Sequence, residues 1–305
     1  MRKQIILSCA ALALLAGSLA EARPGGRLRD RIGGDQARDQ VPQPPGKQTL
    51  PYGSDRLQNL DFWPAQSGNK RAPLVIFVHG GGWKRGSKDT ASGSYKAPHY
   101  TGTGYAYAAI NYRLVPEATV EDQAADVARS VRYLIDNAVR LGFDPSRVVL
   151  MGHSAGAHLV ALVGTDEQYL RGAGLSFSNI NGVIPIDGAA YDVAKQMADG
   201  GNFMHDTYLQ AFGSDPARQS ALSPTLQAAS PNAPSFLLIH VMRKDGVAQN
   251  KALETALRGA GTAVQRREFP GIGLKGHAAI NRSLGDPAYA ATPVVDAWLK
   301  RVFGV

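Results

Sequence analysis

Residues 152–156 read Gly-His-Ser-Ala-Gly and join two segments of opposite character. Arg147–Met151, before them, is a short apolar, β-branched run; Ala157–Val163, after them, suits a buried helix. A chain that passes from strand to helix through Gly-x-Ser-x-Gly makes a sharp, strained turn, with the serine held above the sheet at its apex. A side chain at Gly152 or Gly156 would run into the neighbouring strand or helix, so glycine is needed at both. The Ser154 hydroxyl is then presented to solvent. The amide of the next residue, Ala155, is left free to donate to an anionic oxygen.

A second segment sharpens this reading. His79-Gly80-Gly81-Gly82-Trp83 directly follows the apolar run Leu74–Val78. Glycines at the end of a buried strand let the backbone come close to a substrate and turn amides into a pocket. Gly81 and Gly82 therefore join Ala155 as candidate oxyanion donors. His79 is expected to hold the loop by a hydrogen bond. Trp83 is expected to line the substrate pocket or to pack beneath the loop.

With both motifs in this order, the chain resembles the α/β-hydrolases. Within them it is similar to the branch of hormone-sensitive-lipase-like and feruloyl-esterase-like small carboxylesterases. Asn111-Tyr112-Arg113-Leu114-Val115-Pro116-Glu117 looks like the "YRL-x-PE" segment of that branch. Asp126 is placed at the opening of the helix that leads to Tyr133-Leu134. Leu141–Arg147 looks like the family's lead-in to the nucleophile strand. The resemblance runs from about Tyr52 to the C-terminus. It implies a mostly parallel central sheet with helices on both faces, and a serine hydrolase acting on carboxylic esters of short acyl chains. Arylformamide, feruloyl and acetyl-xylan substrates are alternatives within that chemistry. A non-catalytic binding protein on the same fold is the alternative outside it.

A serine hydroxyl needs a base, and the base needs an orienting acid. His277, in the glycine-rich stretch Gly271–His277 after the last strand-like run, is the candidate base, on a mobile exposed loop. His158, one turn into the helix after the elbow, is expected to pack or to make a supporting bond. His240, at the end of an apolar run, reads as a core histidine. Two carboxylates compete for the acid: Asp245, after the clean apolar run Ser235–Val241, and Asp187, after the proline-containing run Gly182–Ile186. The resemblance implies an acid after the penultimate strand, and so favours Asp245.

The remaining elements alternate strand and helix, the signature of a sheet covered on both faces. Gln58–Pro64 suits an edge strand. Tyr105–Ile110 and Val264–Phe269 suit further strands, whereas Val120–Leu141, Ala248–Leu257 and Pro293–Val302 carry apolar residues at helical spacing. Residues 190–230 show no clear period and read as an insertion over the site.

The first fifty residues stand apart. Arg2 and Lys3, the apolar stretch Ile5–Leu15 and Ala20-Glu21-Ala22 form the pattern of a secretory signal peptide over residues 1–22, with Arg23 as the mature N-terminus. The only cysteine, Cys9, lies within it, so the mature chain would have no disulfide, no thiol nucleophile and no thiolate metal ligand. Export without disulfides fits a periplasmic or secreted protein. Residues 23–50 are rich in Gly, Pro, Gln and Arg, with little to bury, and read as a disordered basic linker before a hydrolase domain at 51–305. The formal charge is +8, but no aromatics interleave with the linker arginines, which argues against nucleic acid as a partner. No phosphate-binding loop, dinucleotide loop or paired-histidine zinc motif occurs, so the expected cofactor and metal complement is none. The apolar leader is too short for a comfortable membrane span.

Overall fold

The computed structural model describes residues 41–199 and 201–305. The leader-like segment 1–22 and residues 23–40 of the basic stretch lie outside the described residues. The ordered domain begins earlier than position 51. Gln48–Pro51 forms β1, so the end of the expected linker is part of the sheet.

Eight strands make one sheet: β1, β2 (Asn59–Trp63), β3 (Ala72–Val78), β4 (Ala106–Ile110), β5 (Phe143–His153), β6 (Gly182–Ile186), β7 (Ser235–Val241) and β8 (Ala263–Phe269). Their order across the sheet is β1-β2-β4-β3-β5-β6-β7-β8. β1 and β2 pair antiparallel with each other and β2 pairs antiparallel with β4; all other pairings are parallel. β2 is thus an interior strand, and the edge expected there belongs to β1.

The helices are α1 (Lys96–Gly102), α2 (Val120–Asp136), α3 (Ala138–Leu141), α4 (Ala155–Thr165), α5 (Gln168–Gly172), α6 (Val193–Asp199), α7 (Gly201–Phe212), α8 (Pro216–Ala221), α9 (Pro224–Gln227), α10 (Lys244–Gly259), α11 (Gly273–Ser283) and α12 (Ala291–Phe303). Among the described residues, no helix is long and apolar enough to cross a membrane.

The strand sequences explain the layering. Every residue of β3 is buried. Leu74, Ile76 and Val78 face one core with α2 and α4, while Val75 and Phe77 face a second with α1 and α12. A parallel strand covered on both faces has no polar side, so it reads as an unbroken apolar run. α4 is buried throughout its length because it lies between the sheet and α2. Pro185 is tolerated inside β6 because the β6–β7 register pairs Val183 with Phe236 and Ile186 with Ile239, skipping the position without an N–H.

From β3 the chain crosses to β4 on one side and returns to β5 on the other. Such a reversal opens a crevice at the carboxyl ends of the strands, where open α/β sheets bind ligands. The loop after β3 and the turn after β5 meet there.

Candidate active site

The turn after β5 has the geometry its residue types demand. Ser154 has φ 56° and ψ −117°, a strained conformation for a residue with a side chain. A Cβ on Gly152 would lie 2.2 Å from the Gly156 carbonyl oxygen, and one on Gly156 would lie 2.2 Å from the Val78 carbonyl oxygen. Both glycines are there because backbone occupies the space. The loop after β3 crosses directly over this turn: a Cβ on Gly80 would fall 2.8 Å from Ser154 Cβ.

His277 bridges the two other groups. Its Nε2 lies 3.0 Å from Ser154 Oγ and its Nδ1 lies 2.5 Å from Asp187 Oδ2. A carboxylate at Nδ1 keeps the proton on that nitrogen, leaving Nε2 to accept from the serine hydroxyl. Asp187 is fully buried and follows β6 with φ 44°. Its Oδ1 accepts the Val241 amide at 3.1 Å, and its own amide donates to the Ile239 carbonyl at 2.7 Å. Burial pushes the Asp187 carboxyl up, but the His277 hydrogen bond and the Arg243 charge outweigh it and hold the group below its ordinary value.

The structure therefore places Asp187, not Asp245, against the imidazole. The reason is where α10 begins. The helix starts at Lys244 rather than at 248, so Asp245 falls in its first turn, where a carboxylate suits the helix dipole. From there Asp245 Oδ2 engages Arg243 Nη1 at 3.5 Å and accepts from Gln196 Nε2 at 3.2 Å. Arg243 links the two acids: its Nε is 3.1 Å from Asp187 Oδ2 and its Nη2 donates to the Asp187 carbonyl at 3.4 Å.

His277 also sits differently from the expected mobile loop. It lies in the second turn of α11, with only 17 % of its side chain exposed. Its carbonyl accepts a hydrogen bond from His153 Nε2 at 3.0 Å, and the two rings lie 4.5 Å apart. Burial, with the neighbouring His277, pushes His153 well below the usual histidine value, so it stays neutral. His153 is the variable position of the elbow pentapeptide. Nothing in that pattern marks it, and only the fold brings it behind His277.

In the loop after β3, Gly81 and Gly82 have φ 134° and 62°. A Cβ on Gly81 would stand 1.9 Å from the Arg85 carbonyl oxygen. Among the described residues, no acceptor on the chain takes the amides of Gly81, Gly82 or Ala155. His79 holds the loop as expected: Nδ1 donates to the Gly80 carbonyl at 2.8 Å, and the ring stacks on Tyr112 at 4.3 Å. Trp83 takes the second of its two expected places. It is buried beneath the loop against Phe212 and donates through Nε1 to His158 Nδ1 at 3.3 Å. The supporting bond expected of His158 is thus made to Trp83. His240 is a buried histidine approached by Arg266 Nη1 at 2.9 Å.

The Asn111–Glu117 segment is scaffolding. Arg113 grips Asp126 through two bonds of 2.8 Å, and Asp126 also accepts from Gln58 at 2.7 Å. Asp126 lies within α2 rather than at its opening.

A nearly parallel sheet, a strained serine turn at its carboxyl edge, and a serine–histidine–carboxylate chain beside a glycine loop define an α/β-hydrolase. Residues 60–257 match the BD-FAE family, and the chain belongs to it. Among relatives, it is 30 % identical over 236 residues to esterase LipQ of Mycobacterium tuberculosis, a match covering 72 % of this chain and 55 % of that protein. It is 31 % identical over 134 residues to isoprenylcysteine alpha-carbonyl methylesterase of Arabidopsis thaliana, covering 43 % of this chain and 31 % of that one. The chain thus spans from about a third to about a half of the length of these curated relatives. In fold it is similar to the crystal structure of an inhibited esterase B from Lactobacillus Rhamnosis, with TM-score 0.72 and 22 % identity over 90 % of this chain and 92 % of that one. It is also similar to a thermophilic esterase from Thermogutta terrifontis, with TM-score 0.66 and 23 % identity over 85 % and 95 % of the two chains.

Proposed function

We propose that this protein hydrolyses carboxylic esters of short acyl chains through a covalent acyl-serine. The observation that carries this is the single imidazole spanning Ser154 Oγ and Asp187 Oδ2. In this reading His277 Nε2 takes the hydroxyl proton as Ser154 Oγ attacks the ester carbonyl. The oxyanion that forms is met by the unengaged amides of Gly81, Gly82 and Ala155. His277 then returns the proton to the leaving alkoxide, and the alcohol departs. Water, deprotonated by the same imidazole, attacks the acyl carbon; the acyl–Oγ bond breaks, His277 returns the proton to Ser154 Oγ, and the acid is freed. Asp187 holds the imidazole in the tautomer both steps need, and stabilises its cation.

The relatives named as esterases support ester over formamide. Thr207 Cγ2 on α7 lies 3.0 Å from a Cβ placed on Gly82, and this crowding beside the glycine loop supports a short acyl group over a long one. The leader-like residues 1–22 support export to the periplasm or medium, where the substrate would be met.

A panel of p-nitrophenyl acetate, butyrate and decanoate, run beside an aryl formamide, tests the substrate class. Fastest turnover is expected on the two short esters, and a preference for the formamide overturns the reading. A fluorophosphonate probe should label the wild type but not Ser154→Ala. Labelling of that variant, or more than a tenth of wild-type turnover, excludes Ser154 as nucleophile and points to another one; a wild type that neither labels nor turns over is the result a binding protein would give.

A further inference from the structure

Lys96 is fully buried in α1, and among the described residues no carboxylate pairs with it. Its Nζ donates to the Ser92 carbonyl at 2.8 Å, to Asn281 Oδ1 at 2.9 Å, and to the Asn281 carbonyl. It also lies 4.7 Å from the Phe77 ring centroid, on β3 two residues before His79. Three acceptors and an aromatic face match the three donors of an ammonium. Burial nevertheless pushes this lysine down to about 7. Such a group is expensive to bury without a counter-charge, and a purely structural need could be met by an apolar side chain.

What Lys96 grips is the helix that carries the base. Asn281 is four residues after His277 on α11, so the two share a face. Asn281 Nδ2 in turn donates to the Ala91 carbonyl at 2.9 Å. Glycines open the space for the contact. A Cβ on Gly93 would lie 3.1 Å from the Asn281 carbonyl oxygen and 3.2 Å from Lys96 Nζ, and one on Gly285 would lie 2.8 Å from the Tyr95 carbonyl oxygen. α11 has few other anchors: of its residues only Gly276, Ile280 and Asn281 are buried.

We propose that Lys96 is a positioning residue: by holding Asn281 at both its carbonyl and its side chain, it fixes α11 and sets His277 within reach of Ser154. The inference rests on Ser154 and His277 being the reacting pair. An imidazole 1 Å out of place lowers the rate by about 10²-fold without weakening substrate binding. Lys96→Met keeps an unbranched side chain only one heavy atom shorter and removes the three bonds. The expected result is a kcat lower by about 10²-fold, a KM within about threefold of wild type, and loss of the downfield proton resonance of the His277–Asp187 hydrogen bond. Asn281→Ala is the second handle. It keeps the bond from Lys96 to the carbonyl of residue 281 and drops both side-chain links, so an intermediate fall in kcat is expected. A loss of thermal stability with unchanged kcat, in either variant, makes the clamp structural only and overturns the proposal. Turnover by Ser154→Ala, measured alongside, would instead overturn the reading of the site on which it rests.

Discussion

Replacing Asp187 by Asn changes one atom in a buried carboxylate, and the surrounding bonds decide which way the new amide faces. Oδ1 accepts the Val241 amide at 3.1 Å, a bond only an oxygen can make. The Asn oxygen is therefore claimed by Val241, and its NH₂ takes the place of Oδ2, 2.5 Å from His277 Nδ1. Nδ1 must then accept, the ring proton moves to Nε2, and Nε2 can no longer take the Ser154 proton. The wrong tautomer lowers kcat by up to about 10⁴-fold in the best-measured triad, which is about 5 kcal/mol of barrier. Arg243 also loses its buried partner. Breaking a fully buried pair costs about 3–5 kcal/mol, and the lower end is expected because Asp245 remains 3.5 Å away. The assay is kcat on p-nitrophenyl acetate at 25 °C, with folding checked by thermal melt. Asp245→Asn is the control, and should keep kcat within a fewfold of wild type. If Asp187→Asn stays within tenfold of wild type, or Asp245→Asn is the more damaged variant, the assignment of the acid fails.

Gly81→Ala should lower kcat by at least about 10²-fold, the scale of a lost oxyanion donor, because its Cβ would stand 1.9 Å from the Arg85 carbonyl oxygen. Gly68→Ala, whose φ of 71° is also positive but which has nothing within 4 Å, should leave kcat unchanged; equal damage from both would refute the steric argument. Burial holds His79 and His158 near 4 instead of 6.5. The unfolded chain thus takes up protons between those values that the fold refuses, and stability should fall as pH drops from about 6.5 to 4, by about 3 kcal/mol per imidazole. Urea midpoints at pH 7 and pH 4.5 check this, and a midpoint that rises on acidification contradicts it.

The parts of the site legible in the sequence are those where backbone geometry dictates residue type. Gly152, Gly156 and Gly81 each stand where a Cβ would enter backbone, so the pentapeptide and the glycine loop announce themselves. Which carboxylate meets His277 was not legible, because two of them stand one strand apart. What separates them is the first residue of α10, and no local cap chemistry marks it: Arg243 makes no side-chain cap bond. α11 read as a loop for a related reason. Gly273 and Gly276 weaken helical propensity, yet Gly276 is required because a Cβ there would lie 2.6 Å from the Gly271 carbonyl carbon. Lys96, Asn281, His153 and Arg243 are unmarked in the sequence because their roles arise from contacts across the fold. The insertion at 190–230 lacks one continuous apolar period since its described residues break into helices of four to twelve residues, two of which start on proline.

The place of Asp187 at the end of β6 divides the three groups of the proposed triad by what can move them. The Ser154 amide donates to the Ile186 carbonyl at 3.0 Å, extending the β5–β6 ladder to Ser154 and to the strand end that carries Asp187. Their separation is thus tied to an interstrand spacing that is nearly constant in folded sheets. The imidazole comes from a helix beyond the last strand, on a separate tether. Warming toward the melting point would loosen that helix before it stretches the sheet, as weakly anchored surface elements open before core strands. Heat would then disarm the hydroxyl reversibly while serine and carboxylate kept their spacing, so the temperature of inactivation should lie below that of unfolding.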